Sequence, residues 1–315
     1  MANVNNTLEY IIENAENPEK FISECEDKYN NKIKKIAKDI AESEKTEIVM
    51  LAGPSSSGKT TTAKKLCQAL SDLGVKSHTV SLDDFYLNNC DSPRFPDGTP
   101  DYETVEALDI PCFEKTMTTL IETGCALMPE FDFLTGKRKE KYNELKLGEK
   151  DVIIVEGLHG LNPSLLPDGF NENLVYKVYV SPLLPLNLDD HNRIGTSYLR
   201  LLRRTVRDFA TRGASVQRTL SMWDSVRRGE ERWIFPYQEN ADFIFNSSTL
   251  YELAVLKKHI FPLLTAIEPS EECYDQVRAM VKILNYVHEA EVDDEIPPTS
   301  IVREFIGGNT FYKNN

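Results

Sequence analysis

Long apolar runs are missing from this chain. The most extended, Ile48–Ala52 and Val152–Val155, have the length of a buried strand and are far too short to cross a bilayer. Paired cysteines are missing too. The six present, at 25, 67, 90, 112, 125 and 273, form no Cys-x-x-Cys pair and have no histidine at metal-ligand spacing. That argues against a disulfide framework and predicts reduced thiols in a cytoplasmic protein. A basic excess is likewise absent: 50 acidic residues outnumber 36 Lys and Arg, for a net charge of −14. A nucleic-acid partner would need a basic face strong enough to overcome that repulsion. Lys137-Arg138-Lys139 and Arg203-Arg204 are short clusters, better suited to the phosphates of one small ligand. Met1-Ala-Asn-Val-Asn-Asn has no basic region leading into an apolar core, so no secretory signal is expected. Neither an internal repeat nor a low-complexity tract interrupts the chain.

What is present is globular composition, 41% hydrophobic and 27% charged over 315 residues, enough for one large α/β domain or two small ones. Residues 1–45 are polar and lysine-rich, yet Phe21, Cys25, Tyr29, Ile33, Ile36 and Ile40 fall on one helical stripe. They predict a helix docked on the core or on a neighbouring subunit, with a regulatory arm as the alternative. Buried strands are expected at 47–53, 75–82, 151–157, 174–180 and 241–245. Helices are expected after residue 58 and at 111–122, 186–208, 215–228, 251–264 and 272–289, with short strands and a basic turn over 124–147. Alternation of this kind predicts an α/β fold, a mostly parallel sheet with helices on both faces, plus an N-terminal helical extension. The expected organisation is an extension over 1–45, one large domain over 46–290 and a tail over 291–315. Within the domain, a substrate-site insertion falls near 85–147 and an arginine lid near 200–235. The acidic stretch 289–295 is expected to be a solvated linker.

Between the first strand and its helix runs Gly53-Pro54-Ser55-Ser56-Ser57-Gly58-Lys59-Thr60. Chance supplies Gly-x4-Gly-Lys-Ser/Thr in about one chain per hundred of this length, and here a buried strand leads in and an amphipathic helix leads out. The two glycines let successive backbone N–H groups turn inward onto phosphate oxygens, reinforced by the helix dipole. Lys59 reaches the β- and γ-phosphates, Thr60 supplies a hydroxyl for Mg²⁺, and Ser55, Ser56, Ser57 and Thr61 complete the ATP cradle. A guanine-reading Asn-Lys-x-Asp after the loop and a Leu-Ser-Gly-Gly signature are both absent, which disfavours a GTPase and a transporter ATPase. A small-molecule kinase pattern remains.

The acids support it. Asp83 and Asp84 end the second strand at the carboxyl edge where ligands gather, and phosphoryl transfer to an alcohol needs a carboxylate to take the proton. Two adjacent acids could instead cap a helix or face solvent. Glu156, at the tip of the buried strand 151–157, is placed to hold Mg²⁺ directly or through water. Arg204, Arg207 and Arg212 could close over the transferring phosphoryl group or form surface ion pairs. Arg227, Arg228 and Arg232 are weaker candidates for the same work.

Gly53–Thr60, Leu82-Asp-Asp-Phe-Tyr86, Asp101-Tyr-Glu103, Pro129-Glu-Phe-Asp-Phe133, Val155-Glu-Gly157 and Arg204–Gly213 together resemble the uridine kinase/phosphoribulokinase family. The likeness spans about residues 47–250, nearest to its bacterial uridine-kinase-like branch. The resemblance implies ATP and Mg²⁺, Asp83 as catalytic base and metal neighbour, and catalytic roles for Lys59, Arg204, Arg207 and Arg212. It also implies acceptor contacts from Tyr86, Tyr102, Glu103, Phe131, Phe133 and Arg204, a metal-associated Glu156, and assembly of identical copies. Glu103 stands where the family has Asp. Phe131 replaces a tyrosine, and Gly136 stands where pyrimidine kinases carry a base-reading histidine. Three hypotheses follow: a uridine or cytidine 5′-kinase; a kinase of another sugar-like or phosphorylated metabolite, with Lys137 and Arg138 holding an anionic group; and an ATP-binding regulator that signals through the N-terminal helix.

Overall fold

The computed structural model describes residues 17–43, 45–96, 98–133, 135–166, 170–184 and 194–311. The expectations placed on residues 1–16, on 186–193 as the start of a helix, and on 312–315 lie outside the described residues. Helix α1 (Pro18–Glu42) precedes β1 (Ile48–Ala52), α2 (Lys59–Asp72), β2 (Ser77–Ser81) and α3 (Ile110–Thr123). Four short strands follow, β3 (Cys125–Met128), β4 (Phe131–Asp132), β5 (Lys137–Arg138) and β6 (Asn143–Lys146), and then β7 (Val152–Gly157) and β8 (Val175–Ser181). The chain continues through α4 (Thr196–Arg212), α5 (Val216–Trp233), β9 (Phe243–Asn246), α6 (Glu252–Thr265), α7 (Tyr274–Leu284) and the short α8 (Arg303–Ile306).

Five strands form one sheet in the order β2-β7-β1-β8-β9, and every pairing in it is parallel. Parallel strands need both faces covered, and β1 shows how the sequence meets that need. Val49 and Leu51 enter one apolar cluster, while Ile48, Met50 and Ala52 enter the other. The alternation continues in β7, with Val152 and Ile154 on one side and Ile153 and Val155 on the other.

The stripe on α1 is buried as its spacing predicts, and it joins the same cluster as Ala63, Leu66 and Leu70 of α2. The helix starts cleanly because the Asn17 side chain accepts the Lys20 N–H at 3.2 Å and Pro18 follows. At its far end Asp39 accepts from the Tyr176 hydroxyl on β8 (3.3 Å). The described part of the N-terminal segment is therefore packed into the core. In the acidic stretch 289–295, Glu289, Glu291, Asp294 and Glu295 face solvent while Val292 is buried, and the chain beyond it returns to the core. Asp293 pairs with Lys258 at 3.2 Å, and Arg303 donates to the Ile296 carbonyl at 3.0 Å. Ile296, Ile301, Val302 and Phe305 are buried with α1 and α2.

Helix ends shift where caps decide them. α4 continues past Asp208 to Arg212 and stops at Gly213, whose φ of 61° is the left-handed turn glycine tolerates. α5 runs on to Trp233, whereas α7 ends at Leu284, short of residue 289. No helix among the described residues is long and apolar enough to cross a membrane, and all six cysteines are free.

Candidate active site

β1, β7 and β2 lie side by side in parallel, so their carboxyl ends open on the same edge. Register sets Leu51 beside Glu156 and Glu156 beside Ser81. The loop 53–58 leaves β1 at this edge, and Asp83 follows two residues after β2. Gly53 is required by contact: a Cβ there would meet the Val180 carbonyl oxygen of β8 at 2.1 Å. Gly58 is required by conformation, with φ +89° at the entry to α2. Ser56 also adopts positive φ, at 58°. The loop thus has the alternating backbone that turns N–H groups inward as an anion nest, and the buried Ser56 and Ser57 hydroxyls have no hydrogen-bond partner.

At the start of α2 the Thr60 hydroxyl donates to Glu156 Oε1 at 3.3 Å, and the Ser81 hydroxyl donates to the same oxygen at 3.2 Å. Ser81 also accepts the Asp83 N–H at 3.3 Å, so the strand end aims Asp83 and Glu156 together. Lys59 reaches back to the Pro54 carbonyl at 3.2 Å. Burial lowers its pKa, opposed by the carboxylates of Glu156, Asp83 and Glu304. Burial raises Asp83, opposed by Lys59, Arg212 and Arg207, which puts those cations around the candidate base. Burial and then the Asp83 charge lift Glu156 to about 7.

Thr60 and Glu156 are hard oxygen donors beside a phosphate nest, the kind Mg²⁺ takes when it is shared with nucleotide phosphates. Asp84 has other work: it turns away and accepts the Phe131 N–H at 3.1 Å, tying β4 to the strand end.

Raising Glu156 has a consequence for stability. With a folded pKa of about 7 against an ordinary 4.5, the folded state holds more protons than the unfolded chain in that window, so this group's contribution falls as pH rises through it. Thermal melts should therefore show Glu156→Gln gaining on the wild type between pH 4.5 and 7. A difference independent of pH would mean that Glu156 ionises normally.

The arginines divide into two sets that the sequence does not separate. Arg204, Arg207 and Arg212 converge on one carboxylate, Asp208, at 3.4, 2.8 and 3.6 Å. Arg204 also donates to the Ser55 hydroxyl at 2.9 Å. Arg200, absent from the candidates read in the sequence, and Arg203, read there only as half of a phosphate-suited basic pair, are fully buried and hold the loop from behind. Arg200 donates to the Ser55 carbonyl (3.1 Å) and to Glu230 (2.8 Å), and Glu230 in turn accepts the Ser55 N–H at 3.0 Å. Arg203 donates to the Ser56 and Ser57 carbonyls at 3.3 Å each and to Glu252 at 2.8 Å. The available signal was the recurrence of arginine at 200, 203, 204 and 207, which covers more than one face of a helix. Arg227 pairs with Glu230 and Glu231 at 3.2 and 2.9 Å, and Arg232 lies over the Trp233 ring. Arg227 thus joins the Glu230 cluster that holds Ser55.

On the other flank, Tyr86, Phe131 and Phe133 form an aromatic wall, with Phe131–Phe133 centroids 5.0 Å apart and Tyr86–Phe131 6.0 Å apart. The Tyr86 hydroxyl donates to the Tyr102 carbonyl at 3.1 Å. That bond holds the 101–103 segment against the wall. Tyr102 and Phe133 are exposed, Phe133 by 64%. Glu103 is lifted to about 7 by burial, opposed by Arg204, and its buried Oε2 has no hydrogen-bond partner. Gly229 makes this packing possible, since a Cβ there would lie 2.3 Å from Glu103 Cβ.

Two sequence expectations change on this flank. Arg138 is committed to the scaffold: it bonds Asp109 at 3.0 Å and the Tyr86 carbonyl at 3.2 Å, leaving exposed Lys137 alone as a basic group. Gly136 serves a tight turn, with φ +65° that a residue bearing a Cβ adopts only under strain, and the Asn89 side chain packs against it. His159, three residues past Glu156, was also overlooked. Burial and the Lys59 charge push it down to about 4, so it is a neutral imidazole beside the site.

A phosphate nest with its lysine, a half-buried carboxylate just past one strand of the same edge and a buried one at the tip of another define a P-loop phosphotransferase. Comparison with known proteins agrees. Residues 48–254 match the model of the phosphoribulokinase/uridine kinase family, and the chain belongs to that family of ATP-dependent kinases. It is 29% identical over 220 residues to a uridine kinase of Borrelia duttonii, covering 67% of this chain and 94% of that one. It is 29% identical over 204 residues to one of Macrococcus caseolyticus, covering 64% and 87%. A solved structure described as a possible uridine kinase from Bacillus stearothermophilus is 19% identical, with a TM-score of 0.45, over 68% of this chain and 97% of that one. D-Glycerate 3-kinase from Cryptococcus neoformans is 18% identical, with a TM-score of 0.41, over 67% and 87%.

Proposed function

We propose that this kinase transfers the γ-phosphoryl group of ATP to the 5′-hydroxyl of a nucleoside, uridine or cytidine first. The observation that carries the acceptor assignment is Glu103. A carboxylate with a buried, unpartnered oxygen beside an aromatic wall suits a ligand with a flat ring and vicinal hydroxyls. The ring would stack on Tyr86 and Phe131, and the sugar hydroxyls would donate to Glu103. The named relatives are uridine kinases, which agrees with this choice.

In the proposed mechanism the loop amides and Lys59 hold the phosphates. Asp83 accepts the proton of the attacking hydroxyl, and Arg204, Arg207 and Arg212 balance charge on the transferring group. Thr60 and Glu156 would hold Mg²⁺, which supplies charge neutralisation on the phosphates when bound. His159, neutral beside Lys59, adds no positive charge of its own there.

A second acceptor class, another sugar-like alcohol, is supported by Phe131, which cannot donate to a base edge. A phosphorylated acceptor is less well served, because Arg138 is spent on Asp109 and the Tyr86 carbonyl. ATP consumption measured against a panel of nucleosides, sugars and glycerate should show nucleosides turned over with the highest kcat/KM. Turnover of sugars with no turnover of any nucleoside would reject the nucleoside assignment and leave the kinase.

A further inference from the structure

The chain carries two segments beyond the family match at 48–254: helix α1 before it, and residues 296–309 after it. They meet in one buried knot. Glu26 of α1 accepts from the Ser300 hydroxyl (2.7 Å), from the Tyr251 hydroxyl (2.6 Å) and from Lys65 of α2 (3.4 Å). Lys65 also donates to Asn30 of α1 at 2.7 Å, and the Tyr29 and Thr62 hydroxyls bond at 2.9 Å. Both extensions are therefore fastened to the helix that follows the phosphate loop.

From that anchorage the C-terminal segment reaches the loop itself. Ile301 Cδ1 lies 2.3 Å from where a Gly58 Cβ would stand. The Phe305 ring packs 4.8 Å from the Arg203 guanidinium, which in turn holds the Ser56 and Ser57 carbonyls. Glu304, on α8, accepts a hydrogen bond from the Thr61 hydroxyl at 2.5 Å. Its charge also acts on Lys59 and on Glu156, so it stands within the field of the phosphate site.

Thr61 belongs to the first turn of α2, where N–H groups and hydroxyls face a bound nucleotide's phosphates. A carboxylate at that hydroxyl has the wrong sign for a phosphate neighbour. We propose that Glu304 is a nucleotide-site residue, supplied from outside the family's common domain, that competes with nucleotide phosphate for the Thr61 hydroxyl and sets the affinity for ATP and ADP. Phosphate arrival at Thr61 would displace the Glu304 side chain, and the segment 296–309 would register occupancy of the loop through Ile301 and Phe305. The inference rests on the ATP-binding role proposed above.

A charge series tests it. ADP binding measured by titration calorimetry should tighten about tenfold in Glu304→Gln, the effect of removing one nearby charge in a partly solvated site, and further in Glu304→Lys. The gain should shrink as salt screens the field. Far-UV circular dichroism and thermal melts check folding, and Glu304→Gln alone decides the matter if the lysine variant does not fold. Wild-type binding that is lost in Lys59→Ala but unchanged or weaker in Glu304→Gln would overturn this inference and leave the ATP site standing. No measurable ADP binding in either the wild type or Glu304→Gln would remove the ATP site, and this inference with it.

Discussion

Replacing Asp83 with Asn is expected to lower turnover by about 10²–10⁴-fold while ATP binding is kept. The amide keeps the shape and the neighbouring contacts but cannot accept the acceptor's proton, and the nest and Lys59 that hold the phosphates are untouched. Burial raises this carboxyl, and Lys59, Arg212 and Arg207 oppose the rise. In the wild type, therefore, the proton-accepting form depends on those cations, and kcat should increase with pH as the carboxylate ionises. The asparagine variant should lose that limb of the profile along with its rate. Initial-rate kinetics across pH, paired with a nucleotide-binding titration, provide the check. Unchanged turnover would remove Asp83 from the chemistry. A joint loss of turnover and ATP binding would assign it to the nucleotide instead.

Arg203→Met is expected to destabilise the protein by about 3–5 kcal/mol, because removing one partner of a buried ion pair leaves the other without compensation. Arg203 and Glu252 are both fully buried, their atoms 2.7 Å apart, and Arg203 further holds the Ser247 carbonyl at 3.0 Å. At about 2–4 °C per kcal/mol for a chain of this order, the melting temperature should fall by roughly 10 °C. The loss should deepen as pH rises. Burial already raises Glu252, and Arg203 is the chief opposing influence. Without that arginine its folded pKa climbs further above the unfolded value, and ionising it costs stability that protonation spares. Because Arg203 also binds the Ser56 and Ser57 carbonyls, ADP should bind more weakly as well. A melting temperature within a degree or two of wild type would mean that the pair is dispensable to the fold.

These two positions show where reading the chain succeeds and where it stops. Asp83 was legible because it follows a short strand in a parallel pattern, and such strand ends share one edge. Strand position alone did not separate Asp83 from Asp84, and only the family resemblance chose between them; the structural difference is Phe131, 47 residues from Asp84, whose N–H claims it. Arg204, Arg207 and Arg212 were picked out by a local motif. Arg200 and Arg203 sit on the same helix, and only the packing of α4 against the loop, Glu230 and Glu252 turns them inward. That Gly136 occupies a left-handed turn beside Asn89 was not legible, because motif comparison is blind to backbone conformation.

By itself the sequence determined the α/β class, the phosphate loop at 53–60, the acids at 83 and 156 and the buried stripe of α1, because each is written in short-range periodicity or in a contiguous pattern. The tertiary structure alone decided that both terminal extensions are fastened to α2 and that Glu304 lies on Thr61, 243 residues earlier. A contact of that separation leaves no period in the chain. It exists because buried Ile301, Val302 and Phe305 must cover apolar surface, and the ground available to them lies beside the loop.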